Sequence, residues 1–147
     1  MPTSRRVVTV ERVADAPEVP FPTRATDGSA CFDLCSAESV RLRRGKITLV
    51  RTGLRMRSPP GTFIEVRPRS GLGSKGVIMP NAPGTIDRDY AGEVKVPLTF
   101  LLSGGYRIEI GDRIGQVRVV RESPAAFRKG RVTVSTDRDG GFGSTGR

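Results

Sequence analysis

Residues 93–120 read EVKVPLTFLLSGGYRIEIGDRIGQVRVV, and their alternation decides the fold class. Val94, Val96, Leu98 and Phe100 occupy every second position, the period of a strand that buries one face. Ile108 and Ile110, then Val117 and Val119, continue the pattern. Between the runs, LLSGG (101–105) carries glycines able to take positive φ and predicts a hairpin connection from Phe100 to Tyr106. Working outward, KITLVRTGLRM (46–56) sets Ile47 and Leu49 before a Thr-Gly turn, and TFIEVRPRS (62–70) offers Phe63, Ile64 and Val66. ACFDLCSAESVRLRR (30–44) fits a strand or a helix, because Cys31, Leu34 and Cys35 also stand at helical spacing. ESPAAFRK (122–129) has room for one helical turn. Eighteen glycines and eleven prolines, spread throughout, exclude long helices. No linker divides the chain. These features predict one all-β domain, a sandwich or barrel with long functional connections.

Composition narrows the chemistry. The 147 residues suffice for a single core. No run of ~18 apolar residues predicts a membrane-spanning helix, and MPTSRRVVTVERVADAP has no apolar stretch of a secretory signal. A cytoplasmic location is the expectation, with a nuclear or host-cell location for a eukaryotic or viral source. The two cysteines are too few for a disulfide scaffold or a closed zinc site. In an extended strand Cys31 and Cys35 stand ~13 Å apart, beyond disulfide reach. The absence of histidine removes Ser-His-Asp and Cys-His catalysis and leaves acid–base work to Asp or Glu, or to metal-bound water. The net charge is +10, with 21 arginines against 4 lysines. The arginines are scattered from Arg5 to Arg147 without the block of a basic arm, and aromatics are sparse. Forked recognition of a small nucleotide's phosphates suits that composition better than nucleic-acid binding.

Two stretches, GLGSKG (71–76) and GFGSTG (141–146), share the Gly-x-Gly-x-x-Gly spacing of dinucleotide-binding loops. Neither has the context that reading needs. Only Arg147 follows the second, and VIMPNAPG follows the first, so no helix can receive a pyrophosphate. RPRSGLGSK (67–75) instead combines Arg69, the Ser70 hydroxyl and glycines into a plausible phosphate nest, or an ordinary polar turn. In NAPGTIDRDYAGEVKV (81–96), Asp87 and Asp89 share one face of an extended segment. They could hold a metal or stand as solvated turn carboxylates. Tyr90 beside them could pack on a sugar or in the core. GDRIGQV (111–117) reads most simply as an intersubunit or strand-end ion pair at Asp112-Arg113. In GGFGSTG an aromatic ring sits among glycines on a terminal tail, which needs something to cover it.

Taken in order, ACFDL, RSGLGSK, NAPGTIDRDYAGEV, GDRIGQ and GGFGSTG resemble the five motifs of the homotrimeric dUTP pyrophosphatases, from about residue 20 to the C-terminus. The resemblance implies a jelly-roll β body over residues 1–137 and a C-terminal arm, 138–147, that closes over the site. It implies a homotrimer with active sites at subunit interfaces, and Mg²⁺ as cofactor. Asp33 matches the carboxylate that holds Mg²⁺ through water. Arg69, Ser70 and Gly71 match the phosphate-binding turn, and Asn81 with Gly84, Thr85 and Ile86 the uracil reader. Asp87 matches the water-activating carboxylate, and Tyr90 the ring packed on deoxyribose. Lys95 matches a substrate-lining residue and Gln116 a glutamine near the phosphates. Phe142 matches the ring stacked on uracil, and Gly143, Ser144 and Thr145 the γ-phosphate contacts. The implied activity is hydrolysis of dUTP to dUMP and pyrophosphate, which limits uracil in DNA and supplies dUMP for thymidylate synthesis.

The chain departs from the family pattern at several points. Cys31 replaces a glycine, Gly115 an alanine and Arg51 a proline. Asp137 stands where the family carries the arm's arginine, and Arg138 lies one residue closer to Phe142. A dCTP deaminase of the same fold lacks the GFGSTG arm, and an interaction module built on the fold has no need of Asp87; this chain has both.

Overall fold

The computed structural model describes residues 6–133, 135 and 140. Regular structure among them is almost wholly extended. The strands are β1 (Thr9–Arg12), β2 (Phe32–Cys35), β3 (Val40–Leu42), β4 (Thr48–Arg51), β5 (Leu54–Arg57) and β6 (Thr62–Arg67), followed by a single helical turn, α1 (Ser70–Gly73). β7 (Val77–Ile78), β8 (Gly84–Ile86), β9 (Lys95–Phe100), β10 (Tyr106–Ile108) and β11 (Arg113–Arg121) complete the order. All strand pairings are antiparallel: β1–β5, β3–β10, a three-stranded sheet β4-β9-β7 and a four-stranded sheet β2-β11-β6-β8.

One core joins these sheets. Leu34, Leu42, Val50, Leu54, Ile64, Val96, Leu98, Ile108 and Ile114 are almost fully buried within it. The run that decides the fold class behaves as its period predicts: Val94, Val96, Leu98 and Phe100 all face inward. The segment 30–44, open to two readings, begins as a strand, because β2 has a pairing partner in β11 and buries Leu34 and Cys35. Both cysteines are free thiols.

Four local expectations are overturned. Ile47 and Leu49 point outward, 58% and 56% exposed, while Val50 is buried. The β4–β9 register sets Val50 against Val96, so the inward parity belongs to the even positions. LLSGG is a crossover and not a hairpin. β9 already has β4 and β7 on its two edges, so Tyr106 must leave to pair with Leu42 of β3. Its glycines do take positive φ, +83° at Gly104 and +79° at Gly105. The alternation also breaks after Ile108: Ile110 is exposed, because residues 109–112 turn and bond Asp112 N–H to the Glu109 carbonyl. No helical turn forms at 122–129; residues 122–133 carry neither helix nor strand, and Phe127 packs on nothing. Regular structure among the described residues therefore ends at Arg121.

Candidate active site

The four-stranded sheet builds the phosphate-like end of the site. Strand β2 is pinned by antiparallel pairing with β11, which sets Asp33 opposite Gln116. The Asp33 N–H also donates to the Thr23 carbonyl at 2.7 Å. Strand β6, on the other side of β11, delivers the chain to Arg69 and then to α1. The Gln116 amide donates to the Pro68 carbonyl at 2.9 Å and ties β11 to that entry.

Asp33, Arg69, Ser70 and Gln116 consequently line one recess of about 280 Å³, together with Ala25, Ser29, Ala30 and Cys31. Arg69 Nε donates to Asp33 Oδ1 at 3.0 Å, and Arg113 Nη1 to Asp33 Oδ2 at 3.3 Å. Two guanidiniums against one carboxylate leave the recess net positive, as a polyanion requires. A Cβ built on Gly71 meets nothing within 4 Å, so the turn is open above the backbone there. The first N–H groups of a helical turn have no intrahelical partner, and an anion oxygen can fill that role. Burial pushes the nearby Cys35 thiol above its ordinary range, and the charge of Asp33 adds to the shift.

Arg113 does form a strand-end ion pair, and its partner is Asp33. Asp112 and Arg113 do not pair: the Asp112 carboxylate accepts the Glu109 N–H at 2.9 Å, and Arg113 turns to Asp33. A register shift between Arg113 and Gly115 in the β11–β2 pairing accompanies this, and no spacing in the sequence announces it. Ser29 and Cys31 enter the recess in the same unannounced way.

A metal must be judged against this donor set. Among the described residues no cluster of three or more Cys, Asp or Glu side chains could cage a cation. Asp87 and Asp89 belong to no such cluster. Asp33 uses two of its roughly four acceptor positions on arginine. A single carboxylate with spare acceptors fits Mg²⁺ that arrives on a triphosphate and keeps its waters.

The other expected residues lie around β8. Among the described residues this strand pairs only with β6 and forms the outer edge of its sheet, so within them its second edge carries unpaired backbone donors and acceptors. Gly84 and Ile86 are buried and Thr85 is exposed, which leaves main-chain atoms as the natural readers along that edge. Asn81 folds back over the strand, its Nδ2 3.2 Å from where a Gly84 Cβ would stand. Asp87 and Tyr90 follow in an exposed turn closed by Tyr90 N–H to the Asp87 carbonyl at 3.1 Å. Tyr90 Oη donates to the Glu93 carbonyl at 3.0 Å, and its ring borders a second recess of about 370 Å³ with Thr9, Glu11, Arg55, Met56, Arg57 and Ala91. Lys95 opens β9, exposed, opposite Arg51. The two sets thus border separate recesses: Asp33, Arg69, Ser70 and Gln116 share one, and Tyr90 faces the other. Arg138, Phe142, Gly143, Ser144 and Thr145 lie outside the described residues.

Known proteins resemble this chain in sequence and in fold. The sequence profile of the dUTPase family matches residues 17–146. A deoxyuridine 5'-triphosphate nucleotidohydrolase of Zymomonas mobilis is 43% identical over 139 residues, covering 93% of this chain and 95% of that protein. Among solved structures, a mutant dUTPase of Staphylococcus bacteriophage 80alpha with dUpNHpp superposes with a TM-score of 0.83 at 22% identity, covering 96% of this chain and 99% of that one. A mutant dUTPase of phage phi11 of S. aureus, described with a structural Mg(II) ion, gives a TM-score of 0.77 at 20% identity over 88% of this chain and 99% of that one. At such identities the two structures speak to the fold alone, and they place it among the jelly-roll β proteins.

Proposed function

The chain belongs to the dUTPase family and is a dUTP diphosphatase, and from that premise we propose how its residues carry out the reaction. Water attacks the α-phosphorus of dUTP as Asp87 takes its proton; the new P–O bond forms, the α–β anhydride bond breaks, and pyrophosphate leaves with the bridging oxygen. Arg69, Ser70, Gly71 and Gln116 hold the phosphates, and Arg113 keeps Asp33 oriented. Asn81 and the main chain of Gly84, Thr85 and Ile86 read uracil along the free edge of β8. Tyr90 packs on the deoxyribose and leaves no space for a 2′-hydroxyl, and Lys95 lines the substrate. Residues 138–147 close the site as an arm: Phe142 stacks on the base, Arg138, Gly143, Ser144 and Thr145 meet the phosphates. Asp33 would hold Mg²⁺ through water, and the ion would supply charge neutralisation on the triphosphate. The reaction limits uracil incorporation into DNA and supplies dUMP for thymidylate synthesis.

The recess that gathers Asp33, Arg69, Ser70 and Gln116 carries this reading. Its positive character fits a triphosphate, and the dUpNHpp and Mg(II) of the phage relatives fit the same chemistry. The separation of that recess from the one at Tyr90 supports a homotrimer in which neighbouring subunits complete each site. Pyrophosphate release from dUTP, UTP and the four standard deoxynucleoside triphosphates tests the reading. Mg²⁺-dependent release from dUTP, strongly preferred, is the expected result. Ammonia released from dCTP would make the chain a deaminase instead.

A further inference from the structure

Arg51, the arginine that stands where the family commonly has proline, gathers three carboxylates around itself. Its Nε lies 3.1 Å from both carboxylate oxygens of Glu93, its Nη2 2.9 Å from Asp15 Oδ1, and its backbone N–H donates to Glu38 Oε1 at 2.8 Å. The Glu93 side chain is only 14% exposed and that of Arg51 29%, so this pair is better shielded than the surface pair Arg107–Glu109.

Glu93 does more than pair. Its Oε1 accepts the Gly53 N–H at 2.8 Å. Gly53 has φ +68°, and a Cβ there would stand 2.6 Å from the Ala16 Cβ, so the donor is fixed at a position only glycine fills. The Glu93 carbonyl accepts Tyr90 Oη at 3.0 Å, and the ring of Tyr90 lies over Gly92. One residue later Val94 joins the core and bonds to Leu54 O at 2.8 Å. Glu93 is therefore the last tether before the exposed turn that carries Asp87 and Tyr90.

We propose that Arg51 and Glu93 are positioning residues: their ion pair holds the Glu93 carbonyl where it fixes the Tyr90 ring, and so sets discrimination between deoxyribose and ribose substrates. The proposal rests on Tyr90 as the sugar platform of the reaction proposed above. The core residues next to the pair in the chain, Val50 and Val94, are buried, so loss of the pair should release the ring without dissolving the fold. An ångström-scale displacement at a substrate-ordering group changes rates by on the order of ten- to a hundredfold.

The test compares wild type with Glu93→Gln, Arg51→Gln, Arg51→Lys and the double Arg51→Gln/Glu93→Gln. Pyrophosphate release gives kcat and KM for dUTP and for UTP, and thermal melting controls for folding. The expected result is a dUTP-over-UTP preference lowered by on the order of tenfold in each Gln variant, through a raised KM for dUTP with kcat nearly kept. The double variant should be no worse than either single, and Arg51→Lys, which keeps the charge, should recover part of the loss. A second readout does not use activity. The chain has two tyrosines and no tryptophan, so in a Tyr106→Phe background Tyr90 is the one intrinsic fluorophore. Its quenching by acrylamide should rise on Glu93→Gln. Unchanged quenching, or an unchanged dUTP/UTP ratio in folded variants, overturns the positioning role. A wild type that releases no pyrophosphate from dUTP, with quenching still responding to Glu93→Gln, overturns the proposed reaction and leaves the tether standing.

Discussion

Two carboxylates of the site stand in opposite surroundings. Asp33 is held between Arg69 and Arg113, whereas Asp87 is exposed in the turn after β8. A group that must receive a proton from water has to be reachable by water, which suits Asp87; a group clamped by two cations suits charge placement. Asp87→Asn should keep dUTP affinity and lower turnover by a factor on the order of 10²–10⁴. Retention of more than half the wild-type turnover would remove Asp87 from that role. Gly92 offers a second test. A Cβ there would come within 2.4 Å of Tyr90 Oη, and the tip of a tyrosine can swing where backbone cannot. Gly92→Ala should stay folded, displace the ring and lower the dUTP-over-UTP ratio of kcat/KM severalfold. The same ratio in mutant and wild type would show that the ring does not police the sugar.

Strands were legible wherever one face is buried against a core and the other meets solvent, as in Val94 to Phe100. Period alone does not choose which parity faces inward. Ile47 and Leu49 carry the right spacing, yet the partner strand makes Val50 the inward residue by setting it against Val96. The misread of LLSGG has the same origin: turn chemistry says where a chain bends and not which strand it meets next. The site was legible as a set of motifs, and the sheet does bring Asp33, Arg69, Ser70 and Gln116 together. Arg113 escaped because its direction depends on a register shift in β11. The element the sequence marks most clearly as functional is the tail. Removing residues 138–147 should lower dUTP hydrolysis by at least ~100-fold, since base stacking is worth ~1–3 kcal/mol and each phosphate contact up to ~1.5–3 kcal/mol. Among the described residues the strands that make the core end at Arg121, so melting without ligand should barely move. Full activity, or unfolding, in the truncated protein would contradict the arm.

At the scale of the whole molecule, the recesses at Asp33 and at Tyr90 share no lining residue, and the proposed homotrimer would have neighbouring subunits complete each site. Mixing answers whether neighbours combine them. Asp87→Asn and Arg69→Ala are each expected to be inactive, and each leaves the other partial site intact. Unfolded together and refolded at equal amounts, they should form mixed oligomers with about a quarter of wild-type activity, because each site draws its halves independently in a closed ring. Activity no greater than the two parents apart would place a complete site in one chain. A site divided in this way would also make catalysis obey mass action. In the proposed trimer, ring assembly would fall steeply as protomer concentration falls, and only the ring would hold complete sites. Specific activity should therefore collapse on dilution below the assembly constant, and a dUTP analogue, by bridging two chains, should shift that threshold to lower concentration. Substrate would then act as the glue of its own catalyst.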